Sequence, residues 1–552
     1  MDWLDDPADT LGIYFSNRNE WSFHSYADLA RRARRVAWRL REVGAEPGRA
    51  VIVAHGNTPG FVSTFFGSLL AGCHPVPVAP PAAFKNATEY AAFIGKVVKL
   101  TECRTILAEP SAAQAAGPAA DGSVHVLDDV GANDGPEYQG RPEPGDVAYL
   151  QLSSGTQGFP RPVRVTYSAV SNNVAALRTW LGSNWQDMLA TWLPLHHDMG
   201  LVGGLIAPVM EPGNVWMMRP EEFIRAPLRW LSCFGEKGAT IGMMPNFGVA
   251  HIARRVRSGA LEAMDFSRWR ACVVGAERVD RGAVDSMIEL LEPFGFDARA
   301  MAPAYGMAET VLAVAGSGLG DKIQSVWVDA ARLAPGERAE VNVGQDSGSH
   351  VELVSCGRPL AGVDVEIVDS DGRVLPEGLL GEIRVSGPSV AGGYLSSPVA
   401  ERSTEPEFGG VFNTGDSGFL LSGELYVVGR IGDCVKFLGR WLYAEDIGDV
   451  AGRVAPAGHP PLVLLGSLAG SNTAVILVDR SAADAAGSIG RAVTGSFAGL
   501  RVIVAVARRG EIHHTTSGKP SRPLTWRSLV TGNLPERTVW DSLNPEPDPG
   551  TR

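Results

Sequence analysis

The sequence predicts an α/β protein: a large N-terminal body of layered βα units with a small added β-barrel region, then a small α+β domain at the C-terminal end. Three observations lead there. Through the first part of the chain, helical stripes of apolar residues alternate with short, wholly apolar runs, the pattern of βα units whose parallel strands are covered on both faces. After Gly357 the texture changes to short segments joined by Asp-Gly and Ser-Gly turns. Finally, 552 residues are several times a usual domain of about 150, so a single compact core is too small a frame.

Taken in order, Tyr26 to Val43 carries apolar residues at Leu29, Ala33, Val36, Ala37, Leu40 and Val43, with arginines elsewhere, and Ser25 and Asp28 suit the start of that helix. Ala50–Ala54 reads as a buried strand, Phe61–Cys73 as a second, apolar helix and Pro75–Val78 as the next strand. Glu109 to Asp146, rich in Ala, Gly, Pro and Asp, reads as surface loop around one short strand, Val124–Leu127. Val363–Val368 and Gly381–Val385 read as a hairpin about Asp371-Gly372, and Phe419–Leu421 with Glu424–Val428 as another about Ser422-Gly423. The body is therefore expected over 1–430, with its β-rich part at 357–430. A boundary at 431–433, a C-terminal domain over 434–544 and a frayed tail over 545–552 complete the division.

Composition narrows the function. The formal charge is 49 − 61 = −12, which argues against nucleic acid and anionic membranes, since both are bound through basic surfaces. Of the 49 basic residues 42 are Arg and 7 are Lys, so a Lys inside a motif carries more weight than usual. Six scattered cysteines without a CxxC pair give neither a zinc signature nor a disulfide framework. The acidic start lacks the pattern of a signal peptide, and glycines and prolines break the uncharged stretch from Ile52 to Phe84. A cytoplasmic protein without stable membrane insertion is expected.

The sharpest local signal is Leu150 to Arg161, a strand running into Ser153-Ser154-Gly155-Thr156-Gln157-Gly158, where backbone N–H groups and hydroxyls are free to approach phosphate oxygens. It is not a Walker loop, because no Lys-Ser or Lys-Thr follows the glycines; taken alone, such a loop is more often a plain turn. Adjacent His196 and His197 do not face one way on either regular element, which disfavours a metal pair. Gly275-Ala276-Glu277 and Ala304-Tyr305-Gly306-Met307-Ala308-Glu309 resemble strand ends opening into loops, where open α/β sheets bind ligands. Asp416, in Asn413-Thr414-Gly415-Asp416, can accept two hydrogen bonds from a diol, and Arg430 can bond ribose and phosphate. Lys519, in Thr515-Thr516-Ser517-Gly518-Lys519-Pro520, is either a solvated surface charge or a flexibly tethered cation reaching a phosphate.

In this order the pieces resemble the adenylate-forming superfamily of acyl-CoA synthetases, luciferases and nonribosomal adenylation domains, and within it most closely the fatty acyl-AMP ligases. The resemblance runs from Tyr26 to about Trp526. It implies that Ser153, Ser154, Gly155, Thr156 and Gly158 hold the ATP triphosphate, with Thr156 near Mg²⁺ and Glu309 ligating it. It implies that Gly275, Ala276 and Glu277 form the adenine loop, with Ala304, Tyr305, Gly306 and Met307 beside the base. Asp416 and Arg430 fall on the ribose, Asp433 at the hinge of a mobile C-terminal lid, and Lys519 between acyl carboxylate and α-phosphate. His197 belongs beside the reacting acid, and His196, Pro245, Asn246 and Phe247 to the acyl pocket, with Trp192, Met243 and Met244 shaping its depth. About thirty residues between Gly320 and Leu353 stand where the acyl-AMP ligase branch carries an insertion that restricts lid movement. The sequence departs from the family pattern at Arg161, Gln157 and Gly432.

The chemistry so implied is coherent. A carboxylate attacking the α-phosphorus of ATP brings two anions together, so positioning, Mg²⁺ and a bridging cation supply the catalysis. The leading expectation is ATP- and Mg²⁺-dependent activation of a fatty or other apolar carboxylic acid, followed by transfer to the phosphopantetheine thiol of an acyl carrier protein. The alternatives are a CoA ligase of the same fold and a degenerate adenylate-binding protein without activity. An acidic carrier meeting an acidic enzyme needs a local basic patch, for which Arg254, Arg255 and Arg257, or Arg508 and Arg509, are candidates.

Overall fold

The computed structural model describes residues 2–18, 20–84, 86–117, 125–128, 136–140, 147–153, 161–211, 213–341, 350–395, 407–437, 440–456, 460–468, 471–508, 510–514, 520–532 and 537–544. Among these the largest sheet has nine strands. Its centre is parallel: Gly12–Asn17, Asn214–Met217, Met188–Thr191, Ile241–Pro245, Ala271–Gly275 and Met301–Gly306 lie side by side. Antiparallel strands close the two edges, Glu20–Ser25 at one and Ala313–Gly316 with Arg358–Pro359 at the other. A second, four-stranded parallel sheet is ordered His74–Pro77, Ala50–Ala54, Thr105–Ala108, His125–Asp128. Ala50–Ala54 is buried along its whole length, as a strand covered on both faces must be.

The first helix runs Tyr26–Glu42, and the Ser25 side chain accepts from the Asp28 N–H at 3.1 Å, the cap its sequence advertises. The next, Pro59–Leu70, begins two residues before and ends three residues before the expected span; Gly72 takes a positive φ of 77° and turns the chain into its strand. These two helices touch at Gly67, where a Cβ would stand 2.6 Å from Val36 Cβ and 2.7 Å from the Ala33 carbonyl oxygen. The stretch expected to be loop holds the short helix Pro110–Ala116 before its strand, which lies at His125–Asp128. That helix has no side-chain cap and is made largely of Ala, so neither capping nor periodicity announces it.

Beyond Gly357 the chain forms a four-stranded antiparallel sheet in the order Asp364–Val368, Gly381–Ser386, Val411–Leu421, Glu424–Arg430. Ser422 and Gly423 both take positive φ, 55° and 76°, as the two central residues of a tight hairpin turn require. The third strand starts well before the expected Phe419, so that Asn413 to Asp416 lies within the strand. Upstream, Ser325–Asp329 pairs with His350–Val354. Val326, Val328, Val351 and Leu353 of this ribbon share a core with Val428, Tyr443, Ile447 and Val450.

The last part of the chain is α+β. Leu462–Leu468, Ser471–Val478, Arg501–Val506 and Thr538–Asp541 form a mixed sheet, accompanied by the helices Ala444–Gly452, Ala486–Ser496 and Arg522–Val530. A charged seam joins it to the body. Arg278 bonds Asp446 Oδ1 through Nη1 at 2.6 Å, and its Nη2 lies 3.4 Å from Asp449 Oδ2. Arg522 reaches Glu445 Oε1 at 2.7 Å and Asp433 Oδ2 at 3.4 Å, gripping the turn Ile431–Asp433. Among the described residues no helix is long and apolar enough to cross a membrane.

Asp446 is 1% exposed. Burial pushes its carboxyl up to about 6, with Arg278 pulling the other way. A carboxyl raised on folding binds its proton more readily in the folded state. Stability from this group is therefore gained as pH falls from about 6 toward 4 and lost as pH rises through that window. Asp446→Asn removes the titration, so its melting temperature relative to wild type should climb between pH 4 and pH 7 in a calorimetric series. Arg278→Ala strands a buried carboxylate and should cost about 3–5 kcal/mol at pH 7, with a smaller loss near pH 5, where Asp446 can protonate.

Candidate active site

The polar groups gather where the parallel strands end, the edge at which open α/β sheets bind ligands. Strand Met301–Gly306 delivers Tyr305, whose hydroxyl donates to Asp416 Oδ2 at 2.7 Å. Asp416 sits opposite Arg430 in the antiparallel register, and Arg430 Nε lies 3.2 Å from Asp416 Oδ1. The backbone beside Asp416 is pinned: Gly415 takes φ 71°, its N–H donates to Glu382 Oε1 at 3.0 Å, and Thr414 Oγ1 accepts from the Asp416 N–H at 3.1 Å. Asp416 is 7% exposed. Burial raises its carboxyl, while Arg430 and the Tyr305 hydroxyl oppose the rise. Burial, reinforced by the charge of Asp416, lifts the Tyr305 phenol well above its ordinary range, so it stays a donor. Burial works to lower Arg430, but Asp416, Glu309 and Asp433 outweigh it and hold the guanidinium firmly protonated.

Glu309 stands in a tight turn, Ala308–Thr310, directly after that strand. The Tyr394 hydroxyl donates to Glu309 Oε1 at 2.7 Å, and the Arg161 guanidinium lies 3.5 Å from the centre of the Tyr394 ring. Arg161 thus links the end of the Ser/Gly-rich segment to Glu309 through an aromatic face. The turn is strained. Val311, β-branched, holds φ at 69°, and a Cβ on Gly306 would meet the Leu312 carbonyl oxygen at 1.8 Å; such backbone costs about 1–3 kcal/mol and concentrates at functional sites.

Gly275 ends the strand Ala271–Gly275, and a Cβ there would stand 2.8 Å from the Ala304 carbonyl oxygen. Ala276 follows in a left-handed conformation, φ 65°. Glu277 Oε1 accepts from the Phe247 N–H at 2.8 Å and Asn246 Oδ1 from the Asp280 N–H at 3.0 Å. The loop 275–280 is thereby clamped to the start of the helix Asn246–Arg255. Arg254 and Arg255, candidates for a basic patch, are exposed at the other end of this helix, as is Arg257 just beyond it.

An apolar cavity of about 1090 Å³, its open mouth included, runs from this polar edge beneath the sheet. Its floor is Leu189, Ile241, Met243, Val273 and Gly275; the helix Tyr167–Leu181 and a π-helical segment, Met199–Ile206, cover it. Ala304, Tyr305 and Gly306 close its upper end. Of the residues expected to shape the acyl pocket, Met243 lines this cavity, whereas Trp192, His196, Met244, Pro245, Asn246 and Phe247 do not. Side chains alternate along a strand, so Met244 points away from Met243. Trp192 stacks on Phe223 at 3.9 Å and meets Phe247 edge-on at 5.5 Å. Asn246 and Phe247 hold the loop 275–280 instead.

The His196-His197 segment is fixed through its backbone. Gln151 Nε2 donates to the His196 carbonyl at 2.9 Å, and the His197 carbonyl accepts from the Leu201 N–H at 2.7 Å. Asn57, 2% exposed, donates to the Leu193 and Met218 carbonyls, each at 2.9 Å, and accepts from the Leu195 N–H at 3.2 Å. The two imidazoles lie 4.5 Å apart. Ser153 Oγ donates to the Arg161 carbonyl at 3.2 Å, closing the neck of the hairpin Val147–Ser153 and Arg161–Thr166. Ser154, Gly155, Thr156, Gly158 and Lys519 lie outside the described residues. Met307 is buried just ahead of the Glu309 turn. The site also contains Tyr394, which sequence reasoning passed over although an aromatic after Gly392-Gly393 was the signal for it, and Thr414, which the Asn413–Asp416 motif includes without a role.

A family model described as AMP-binding enzyme matches residues 5–395. A putative acyl-CoA synthetase from Caulobacter vibrioides is 32% identical over 439 residues, covering 76% of this chain and 74% of the relative. A medium-chain-fatty-acid–[acyl-carrier-protein] ligase from Moorena producens is 29% identical over 539 residues, covering 92% and 90%. Among solved structures, one from a study of fatty acyl-adenylate ligases of E. coli and L. pneumophila superposes with a TM-score of 0.87 at 28% identity, covering 96% of this chain and 98% of the other.

Removing the Tyr305 hydroxyl leaves one oxygen of a buried carboxylate short of a donor. Tyr305→Phe should therefore lose about 1.5–3 kcal/mol of folding stability in urea titrations. Tyr394→Phe, whose partner Glu309 is only half-buried, should lose less.

Proposed function

This chain belongs to the family of AMP-binding enzymes, and on that premise we propose that it activates a medium- or long-chain fatty acid for transfer to an acyl carrier protein. It is an adenylate-forming ligase: ATP and a carboxylic acid give acyl-AMP and pyrophosphate. The observation that carries the substrate class is one residue with two neighbours. Tyr305 closes the apolar cavity and also donates to the buried Asp416. An acyl chain in the cavity therefore ends beside a carboxylate and a guanidinium suited to a ribose diol. The relative from Moorena producens, named as a fatty-acid ligase acting on acyl carrier protein and similar over nine-tenths of the chain, supports the acceptor.

In the proposed mechanism the acid is already ionised near pH 7, so no general base is needed. One carboxylate oxygen attacks the α-phosphorus, the bond to the β-phosphate oxygen breaks, and pyrophosphate leaves with that electron pair. Ser153, Ser154, Gly155, Thr156 and Gly158 hold the triphosphate. Gly275, Ala276 and Glu277 face the adenine, with Ala304, Tyr305, Gly306 and Met307 beside it. Asp416 accepts from the ribose hydroxyls and Arg430 steadies ribose and phosphate. Lys519 bridges the two reacting anions, and His197 borders the acyl carboxylate. Asp433, held by Arg522 and released as the lid turns, marks the hinge. In the second half-reaction the phosphopantetheine sulfur bonds the acyl carbon, the bond from that carbon to the AMP phosphate oxygen breaks, AMP leaves with the electron pair and the thiol proton passes to solvent.

Mg²⁺ fits the donor chemistry at Glu309. Tyr394 occupies one carboxylate oxygen and orients the other, and Mg²⁺ is commonly bound by one or two carboxylates together with substrate phosphates. When bound it would neutralise phosphate charge, and Glu309 and Thr156 are the residues that would hold it.

The deciding assay is acid-dependent pyrophosphate release with ATP, Mg²⁺ and carboxylic acids of graded length. Release should be largest for medium or long unbranched acids, and Lys519→Ala should lower it by about 10²–10³-fold. An absence of acid-dependent release with every acid overturns the reading. With acyl-AMP formed, holo-carrier protein and CoA are offered separately; efficient acyl-CoA formation replaces the carrier with CoA, the acceptor suggested by the name of the Caulobacter relative.

A further inference from the structure

The cavity has a second end, and its chemistry differs from the first. Its lining descends the parallel strands from Gly275 past Met243 and Val273 to Ile241 and Leu189, and ends at Asp187 and Asn214, where two of those strands begin. In register terms Gly275 lies opposite Pro245 and Leu189 opposite Ile241. The step down to the level of Asp187 is therefore six residues of strand, roughly 20 Å. Tyr305 and Asp198 stand among the lining as well, but between the two ends Val174, Leu177 and Leu312 offer no hydrogen-bonding side chains. At the lower end the lining turns polar, with Arg178, Ser183, Asn184 and Glu211.

That lower end faces water. Arg178 and Glu211 form an ion pair there, with side chains 61% and 24% exposed. Asp187 is already committed: Arg270 bonds both its oxygens at 2.8 and 2.5 Å, Thr240 donates at 2.7 Å and the Asn184 N–H at 3.0 Å. Burial disfavours its ionisation, but these donors hold its carboxyl below the usual range. The groups facing an occupant are therefore the rim pair Arg178–Glu211, Ser183 and the exposed Asn184. Between the two ends Gly203 packs closely against the lining, since a Cβ there would stand 2.6 Å from Met243 Sδ and 3.3 Å from Leu312.

We propose that the lower end is a water-facing subsite for the far end of the acid, and that the enzyme accepts long-chain acids bearing a polar terminal group, an ω-hydroxyl or terminal carboxamide, which rests at the Arg178–Glu211 rim. This rests on the reading of the cavity as the acyl site. A polar terminus stranded along the apolar walls loses its water without gaining a partner, whereas one that reaches the rim keeps both. A methyl terminus at the rim gains nothing from each carbon beyond it.

The test uses the whole enzyme and pyrophosphate release, with pairs of acids of equal length, one ω-hydroxylated and one not, from six to eighteen carbons. The ratio of kcat/KM, hydroxylated over parent, should be tenfold or more below one for the shorter pairs and rise to one or above once the chain spans the cavity. A ratio that stays tenfold below one at every length, with the parent acids active, overturns the proposal and leaves the fatty-acid reading standing. Failure of all acids overturns both. In Arg178→Leu/Glu211→Leu the long-chain ratio should fall at least tenfold, and in Arg178→Lys it should be retained; an unchanged ratio in the double variant also overturns the proposal. Should the double variant not fold, the wild-type length series decides alone.

Discussion

The buried carboxylate of Asp416 ties together parts of the chain that are far apart in sequence. Tyr305 brings to it the edge of the central parallel sheet, and Arg430 brings the last residue of the antiparallel sheet, directly before the turn that leads into the C-terminal part. A charge this deeply buried is tolerable only with donors in place, so the three residues hold one another in position. The consequence is geometric. The upper end of the apolar cavity, the carboxylate and the start of the connecting turn are fixed relative to each other before any ligand arrives, which is the preorganisation that electrostatic catalysis relies on.

Around that cluster the backbone, rather than side chains alone, shapes the site. Gly306 and Val311 fold the chain back so closely that Glu309 is presented from a strained turn, and Gly275 lets two strands converge at the level of Ala304. Gly203 does the same inside the cavity, where its lack of a side chain leaves room beside Met243. Each is a place where one added methyl group collides with neighbouring atoms, so the small residues determine the shape of the space as much as the large ones do.

The C-terminal part is held by contacts of two kinds. One is apolar, a shared core between the ribbon Ser325–Asp329 with His350–Val354 and the helix Ala444–Gly452. The other is ionic, with Arg278 on Asp446 and Asp449, and Arg522 on Glu445 and Asp433. Arg278 follows directly on the loop Gly275-Ala276-Glu277, so the loop beside the cavity and the orientation of the C-terminal part are mechanically linked. The abundance of Arg over Lys has a structural counterpart here, because the guanidinium serves two carboxylates at once.

The order of the local signals alone determined the family and the fold class, and it singled out polar residues that the structure gathers at one edge of the sheet. Ser25, the Ser422-Gly423 turn, the apolar run Ala50–Ala54 and the motif residues Tyr305, Glu309, Asp416 and Arg430 were all legible, because capping, turn geometry and periodicity act over a few neighbouring residues. What lay beyond reach depends on contacts across hundreds of residues. The phenol of Tyr305 on Asp416, the ring of Tyr394 between Arg161 and Glu309, and Arg278 against Asp446 are pairings that strand order and register decide. Which residues line the cavity is another such property. Met243 faces it and its strand neighbour Met244 does not, and only the stacking of helix on sheet selects which face is hollow. Sequence thus fixes which groups are available for chemistry, and tertiary packing fixes which of them face the same space, because burial and proximity are properties of the assembled layers and not of any one segment.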